Sequence, residues 1–157
     1  MPPEKWPTAP LIPYLVVDGG TAAIAFYKAA FGAEEISRQM TPDGQKVLNA
    51  MLRVNGAPIM LNDDFPEFSG GKKSAPRQDC PVSVSLHLTV ADCDATYKKA
   101  VEAGATGTTP PNDAFWGDRY AQVTDPFGHH WSFGSPLKET SAKERDEYVK
   151  KNMANIK

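Results

Sequence analysis

Two stretches of the chain repeat one pattern: LVVDGGTAAIAFYKAAFGA at residues 15–33 and LTVADCDATYKKAVEAGA at residues 88–105. Each contains a short β-branched run, a small or acidic residue, a stretch with helical periodicity and a closing Gly-Ala pair. The repeat predicts two modules of similar structure, and neither module can bury both faces of a sheet alone. We therefore expect a functional site between the modules.

Each copy predicts a strand followed by a helix. In the first copy we expect a strand over residues 11–17, a helix capped by the Thr21 side chain, and a stop at Gly32. In the second copy we expect a strand over residues 82–90 and a helix capped by Asp92. The matching order of elements supports the interpretation as a duplication.

The tetrapeptide DPFG at residues 125–128 predicts a type I turn, because proline is second and glycine fourth. The flanking residues 120–124 and 129–133 would then form paired strands. Because strand side chains alternate between faces, His130 and Ser132 would share one face. His129, Trp131 and Phe133 would lie on the other face.

The chain fits a single domain between residues 11 and 136, with additions at both ends. Ser141 and Glu144 have the spacing of a capping box, which predicts a peripheral C-terminal helix. The expected segments are an extended, proline-rich arm (1–10), module one (11–61), a linker or lid over a pocket (62–81), module two (82–136) and a helical tail (137–157).

Composition narrows the class of protein. Of the 157 residues, 41% are hydrophobic and 23% charged, and the formal net charge is −2. The absence of a basic stripe argues against nucleic acid and anionic membrane surfaces as partners. No apolar run approaches the length of a membrane span, the first residues lack a signal peptide's apolar core, and two cysteines are too few for a disulfide framework. We therefore expect a cytoplasmic protein with reduced thiols.

Three segments carry a resemblance to a known family: LIPYLVVDGGTAAIAFYKAAFGAEE, SVSLHLTVADCDATYKKAVEAGA and, most specifically, FWGDRYAQVTDPFGHHWSF. They resemble the vicinal-oxygen-chelate superfamily of glyoxalase I, extradiol dioxygenases and bleomycin-resistance proteins, in its PhnB-like branch, and the resemblance covers about residues 11–135. The resemblance implies an α+β fold in which two βαβββ modules form a cupped mixed sheet with helices outside. It also implies a homodimer, and it leaves open whether modules pair within or between chains.

In metal-dependent members of that superfamily, two histidines and two glutamates hold the ion. The resemblance places the four positions at Ile12 or Pro13, near Met60, at Ser85 and at Ser132. Because these side chains are not donors that divalent metals prefer, we predict that the inherited metal site is absent and that no cofactor is required.

Two histidines lie close to the lost positions. His87 and His130 are each two residues away and on the same face as the position they adjoin. With Ser85 and Ser132 taken as level on adjacent parallel strands, the two side chains would be about 13 Å apart along the sheet. We therefore expect that they do not share an ion.

The predicted site residues face the cavity between the modules or lie at its mouth. For His87, an ordinary core histidine is the alternative; for Arg119, a structural ion pair with Asp118 or Asp125 is the alternative. His130 is the candidate for proton transfer. The full set of predicted ligand-binding residues is Tyr14, Met60, Asn62, His87, Trp116, Arg119, His130 and Ser132.

The leading functional hypothesis is a metal-independent protein that binds a small molecule in the cup. The alternative is an enzyme of the same superfamily, a lyase, isomerase or dioxygenase, that uses a divalent metal or His130 as general base. A third hypothesis is a fold that serves only for assembly, which a filled cavity would favour.

Overall fold

The computed structural model describes residues 9–156, so most of the predicted N-terminal arm lies outside the described residues. The elements follow one order twice. They are β1 (Tyr14–Val17), α1 (Gly20–Phe31), β2 (Glu34–Met40), β3 (Val47–Val54), β4 (Ala57–Asp63), a short 3₁₀ turn (Pro66–Phe68), β5 (Ser85–Thr89), α2 (Cys93–Glu102), β6 (Thr106–Asp113), β7 (Asp118–Thr124), β8 (His130–Pro136) and α3 (Ala142–Asn152).

The strands form two four-stranded mixed sheets, ordered β1-β4-β3-β2 and β5-β8-β7-β6. In each sheet the first two strands are parallel and the other pairs antiparallel. Helix α1 packs on the first sheet, and α2 packs on the second. The predicted α+β fold of two βαβββ modules with a C-terminal helix is confirmed. We call the sheet surface opposite the helices the helix-free face.

Both leading strands begin later than predicted. Strand β1 starts at Tyr14 because Pro10 and Pro13 have no backbone N–H to donate to a neighbouring strand. The Pro13 carbonyl still accepts a hydrogen bond from the Met60 N–H at 2.9 Å. Strand β5 begins at Ser85, and residues 82–84 approach it as unpaired backbone.

The start of α1 differs from the sequence prediction. Thr21 is not the cap; Gly19 is, in a left-handed conformation with φ of 105°. The free N–H groups of Gly19 and Gly20 donate instead to Oδ1 of Asp63, at 2.9 and 2.8 Å, while Asp63 Oδ2 accepts from the Val47 N–H at 2.7 Å. This buried carboxylate therefore joins the helix to β3 and β4.

The other local signals are confirmed. Helix α1 ends at left-handed Gly32, and Asp92 caps α2 by accepting a hydrogen bond from the Ala95 N–H. The turn before β8 closes with the Gly128 N–H donating to the Asp125 carbonyl. Helix α3 begins at the predicted capping box, and none of the described helices is long and apolar enough to cross a membrane.

One hydrophobic core joins the two modules. Aromatic side chains of α1 pack against the helix-covered face of β8: Tyr27 lies 5.5 Å from Trp131, and Phe31 lies 5.7 Å from Phe133, measured between ring centres. All but Phe31 are fully or almost fully buried. The faces predicted for Trp131 and Phe133 are therefore correct, and they bind module two to the helix of module one.

A buried carboxylate lies at the centre of this contact. Asp125 Oδ2 accepts hydrogen bonds from the Tyr27 hydroxyl at 2.6 Å and the Trp131 indole at 2.9 Å. Its Oδ1 accepts from the backbone N–H groups of Phe127 and His129. Burial, and then the negative charge of Asp125, raise the pKa of Tyr27 far above its usual range, so the phenol remains a donor.

We expect Tyr27→Phe to lower the free energy of unfolding by about 1–3 kcal/mol, because it leaves a buried carboxylate without one donor. Urea denaturation monitored by tryptophan fluorescence measures the change. Tyr148→Phe is the matched control: Tyr148 is exposed, and its loss of a hydroxyl is expected to cost less than about 0.5 kcal/mol. Equal effects of the two variants would contradict the role given to Asp125.

A second pair of variants tests the start of α1. Asp63→Ala removes the acceptor of three backbone N–H groups, so we expect a loss of about 2–4 kcal/mol of stability. Thr21→Ala is expected to change stability by less than about 0.5 kcal/mol, since Thr21 is exposed and caps nothing. A cost near 1 kcal/mol for Thr21→Ala would show that it acts as the cap after all.

Candidate functional site

The helix-free face of module two carries a histidine held by a buried serine. Strand pairing sets His87 opposite Ser132, and His87 Nδ1 shares a hydrogen bond of 2.8 Å with Ser132 Oγ. The imidazole lies over Gly134, where a Cβ would stand only 3.1 Å from Cε1 and Nε2 of the ring. Gly134 therefore provides the space that this ring occupies.

Aromatic rings continue this surface towards the far end of the sheet. Tyr120 lies 6.3 Å from the His87 ring in a nearly parallel arrangement, and Trp116 meets Tyr120 edge-on at 5.1 Å. The Trp116 indole donates to Asp118 Oδ2, and the Gln122 amide donates to the Tyr120 hydroxyl. The result is a surface of stacking rings with hydrogen-bonding groups between them.

The two consecutive histidines have different environments. His129 is buried, and its Nε2 shares a hydrogen bond of 2.9 Å with the Val16 carbonyl of module one. His130 is half-buried, and its Nδ1 shares a hydrogen bond of 3.0 Å with Thr124 Oγ1. Its Nε2 has no hydrogen-bond partner among the described residues. Each imidazole therefore has one ring nitrogen without a partner among the described residues, Nδ1 in His129 and Nε2 in His130, but His129 is the more deeply buried residue.

A cavity of about 470 Å³ lies between the edge strands β1 and β5; we call it the seam cavity. Its polar groups come from Tyr14, Ser83, His129 and His130. Its volume is typical of small-molecule pockets. The apolar part of its wall consists of Pro13, Leu15, Pro81, Val82, Val84 and Leu86.

Two more cavities adjoin His130. The strand cavity, about 310 Å³, lies between β5 and β7 and includes Gln122 and Thr124. The loop cavity, about 560 Å³, lies under the segment before β5 and includes Pro76. Pro76 packs on Gly128, where a Cβ would come within 2.7 Å of the proline Cβ. The segment predicted as a linker or lid therefore supplies walls to the cavities around His130.

Module one contributes fewer polar groups. Tyr14 is opposite Met60 on the helix-free face and accepts a hydrogen bond from the Asn49 amide at 2.8 Å. The Asn62 amide donates to the Asp63 carbonyl, while Asn62 Oδ1 is buried with no partner among the described residues. Tyr14 and His130 are the predicted site residues that share a cavity.

Arg119 lies apart from this surface. It pairs with neither Asp118 nor Asp125, the structural partners considered from the sequence. Its guanidinium instead binds Asp94 at the start of α2 through two bonds of 2.9 Å, and Asp113 through a third of 2.9 Å. These hydrogen bonds raise the pKa of Arg119 and leave it a charged link between α2, β6 and β7.

The observed register corrects the expected distance between His87 and His130. Ser85 is level with His130, and His87 is level with Ser132, so Ser85 and Ser132 are not level with each other. The two histidines are offset by two residues on adjacent strands, or about 7 Å along the strands instead of about 13 Å. The distance along the sheet therefore does not by itself exclude that His87 and His130 contact the same ligand or ion.

The donor set does not fit the metal site that the resemblance implies. Of the four positions, Met60 lies opposite Tyr14, and Ser85 and Ser132 lie opposite the two histidines. Within residues 9–156, no group of three His, Cys, Asp or Glu side chains is arranged to hold a metal ion. Two imidazoles without a carboxylate or thiolate are a poor site for zinc, and a thioether suits mainly softer metals.

Sequence reasoning missed Tyr120, Gln122 and Asp118 as parts of the helix-free face. The signal was present, because these residues alternate along β7 in phase with Thr124, which the predicted hairpin sets opposite His130. A second missed residue is Gly134, whose role depends on the position of the His87 ring across the strand pair.

Comparison with known proteins agrees with this fold. The chain is 50% identical to an uncharacterized protein of Mycobacterium tuberculosis over 134 residues, which cover 85% of this chain and 78% of the relative. The crystal structure of the AT5G48480 gene product of Arabidopsis thaliana is 29% identical, with a TM-score of 0.63 over 81% of this chain and 98% of that one.

A more distant structure has the same fold. The PhnB protein of Bacillus cereus is 14% identical and superposes with a TM-score of 0.61 over 81% of this chain and 99% of that one. Residues 11–133 match the sequence profile of one family, which spans both modules. The chain therefore belongs to the Glyoxalase/Bleomycin resistance protein/Dioxygenase superfamily.

Proposed function

We propose that the protein binds a small organic molecule, without a metal ion, on the helix-free face and in the cavities at its edge. The observation that carries this proposal is the replacement of the donor set: Met60, Ser85 and Ser132 stand on strands where metal-dependent relatives need a histidine or glutamate. The fold that surrounds these positions is retained, so the recess can take an organic ligand in place of a metal complex.

The chemistry of the recess supports binding of an organic ligand. The seam cavity is apolar with few polar groups, as small-molecule sites usually are. Trp116 is 39% exposed and Tyr14 is 48% exposed, so large ring surfaces face solvent where a ligand could cover them. The proposed contacts are Tyr14, Met60, Asn62, His87, Trp116, His130 and Ser132, with Arg119 kept as a more remote candidate.

A second candidate function is an isomerase or lyase that uses His130 as general base. One observation favours it: Thr124 holds Nδ1 of this imidazole, Nε2 has no partner among the described residues, and His130 lines three cavities. An oriented histidine with a free nitrogen can abstract a proton from a bound substrate. Conversion of a ligand by the wild-type protein, lost in His130→Gln, would favour this function over simple binding.

We also propose a homodimer in the cytoplasm. Cys80 and Cys93 are both free, and burial raises the pKa of the Cys93 thiol, which keeps it in the unreactive protonated form. The free thiols agree with a reducing compartment.

For metal independence, we expect the purified protein to contain less than about 0.1 equivalent of divalent metal. We also expect its melting temperature to be the same with EDTA, zinc or nickel. Elemental analysis and thermal-shift assays measure both quantities, and the same assay can screen aromatic and glycopeptide ligands with and without chelator.

A variant with restored donors serves as the positive control. Ile12→His, Met60→Glu, Ser85→His and Ser132→Glu together replace the four lost ligands, and zinc is expected to raise the melting temperature of this variant alone. A near-stoichiometric metal ion in the wild-type protein, or stabilisation of the wild type by metal, would contradict the proposed function.

A further inference from the structure

We propose that the seam cavity is a site for an uncharged molecule with an aliphatic body and a carbonyl or hydroxyl oxygen, which His130 binds. The inference rests on the proposed function, and it names the class of ligand and the residue that selects it. Four observations carry it: the position of His130, the apolar residues of the cavity wall, the exposure of apolar side chains at its edge, and the absence of charged residues from the lining of the seam and strand cavities.

His130 is the point where the three cavities meet. It lines the seam, strand and loop cavities. The seam and strand cavities also share Ser83 and Val84, and the seam and loop cavities share Pro81. A ligand in the seam cavity therefore reaches the imidazole whichever neighbouring cavity its far end enters.

The His130 ring can recognise one oxygen atom. Its Nδ1 is bound to Thr124 Oγ1, so a ligand can use only Nε2. With a proton on Nε2 the ring donates to a carbonyl, and in the other tautomer it accepts from a hydroxyl. His129 is a poorer partner for a carbonyl, because Nε2–H donates to the Val16 carbonyl and the remaining Nδ1 of the neutral ring can only accept.

The rest of the cavity favours an aliphatic body. Its apolar wall is built from prolines, valines and leucines, and Tyr14 and the two histidines are the only aromatic rings in its lining. Val84 is 65% exposed and Tyr14 is 48% exposed, although both border a recess. Covering these surfaces with an alkyl chain removes apolar area from water, which is the main driving force for such a ligand.

The cavity has no counter-ion for a charged ligand. Among the described residues, no Lys, Arg, Asp or Glu lines the seam or strand cavity. Three charged residues line the loop cavity: Arg77 is paired with Asp79, Asp125 already accepts four hydrogen bonds, and Asp18 is a further carboxylate that would repel an anionic ligand. Transfer of a carboxylate or ammonium group into such surroundings without a partner is costly, so a neutral oxygen is preferred.

The test compares three probes of equal chain length: 2-octanone, 1-octanol and octanoate. Their binding to the full-length protein is measured by titration with ¹H–¹⁵N NMR, following backbone amides of residues 14–15 and 82–86. We expect saturable shifts there with the ketone and the alcohol, and at least tenfold weaker binding of octanoate.

Variants then assign the site. Val84→Trp fills the mouth of the seam cavity and is expected to weaken 2-octanone binding at least tenfold. Val101→Trp, on an exposed face of α2 outside the cavities, is the matched control and is expected to bind as the wild type does. His130→Leu keeps the apolar volume but removes the hydrogen bond, so we expect about three- to tenfold weaker binding of the ketone.

Several results would overturn the inference. Octanoate binding as tightly as 2-octanone would show that the cavity tolerates charge. Shifts confined to residues around Trp116 and Tyr120 would place the ligand outside the seam cavity. Both results would leave the proposed function unchanged. No saturable shifts at residues 14–15 and 82–86 with any probe, or an altered oligomeric state in Val84→Trp, would show that the seam does not take such a ligand. Failure of the proposed function is separate, because it appears as a tightly held metal ion in elemental analysis.

Discussion

The structure depends on the buried carboxylate of Asp125. It binds the hydroxyl of Tyr27 from the helix of module one, the indole of Trp131 from β8 and two N–H groups of its own turn. A buried charge is tolerated only when such donors surround it, so the modules cannot separate without exposing an unsatisfied group. Asp63 has a similar role within module one, where it joins α1 to β3 and β4. The two carboxylates fix the positions of the strands that carry the site.

Polar groups are distributed unequally between the two faces of the sheets. On the helix-covered side the polar atoms of Asp63 and Asp125 are saturated and enclosed by an apolar core. On the helix-free side, His87, Tyr120 and Gln122 also hold each other or their neighbours, but their rings and amides remain accessible. Stability therefore comes from one face, which leaves the side chains of the other available for recognition.

Local signals in the sequence predicted local structure correctly. Gly32, Asp92 and the Ser141–Glu144 box each act within one turn of chain, and each was found where expected. Contacts between distant residues could not be predicted in this way: the carboxylate that binds the first N–H groups of α1 is that of Asp63, more than forty residues after the helix starts. The family resemblance supplied the architecture and the four positions at which metal ligands were expected, but not the register that sets His87 beside Ser132. For the same reason the partners of Arg119 on α2 and β6 were missed.

The contact between Pro76 and Gly128 links two segments that are far apart in the chain. Any side chain at residue 128 would collide with the proline ring, and the backbone there has a φ of 89°, which favours glycine. The segment that connects the modules therefore packs, through Pro76, on the turn that leads directly into His130. A single missing methyl group thus determines how closely the connecting segment covers the imidazole. A larger residue at position 128 would push the connecting segment away, and the recess would then be open to bulkier ligands.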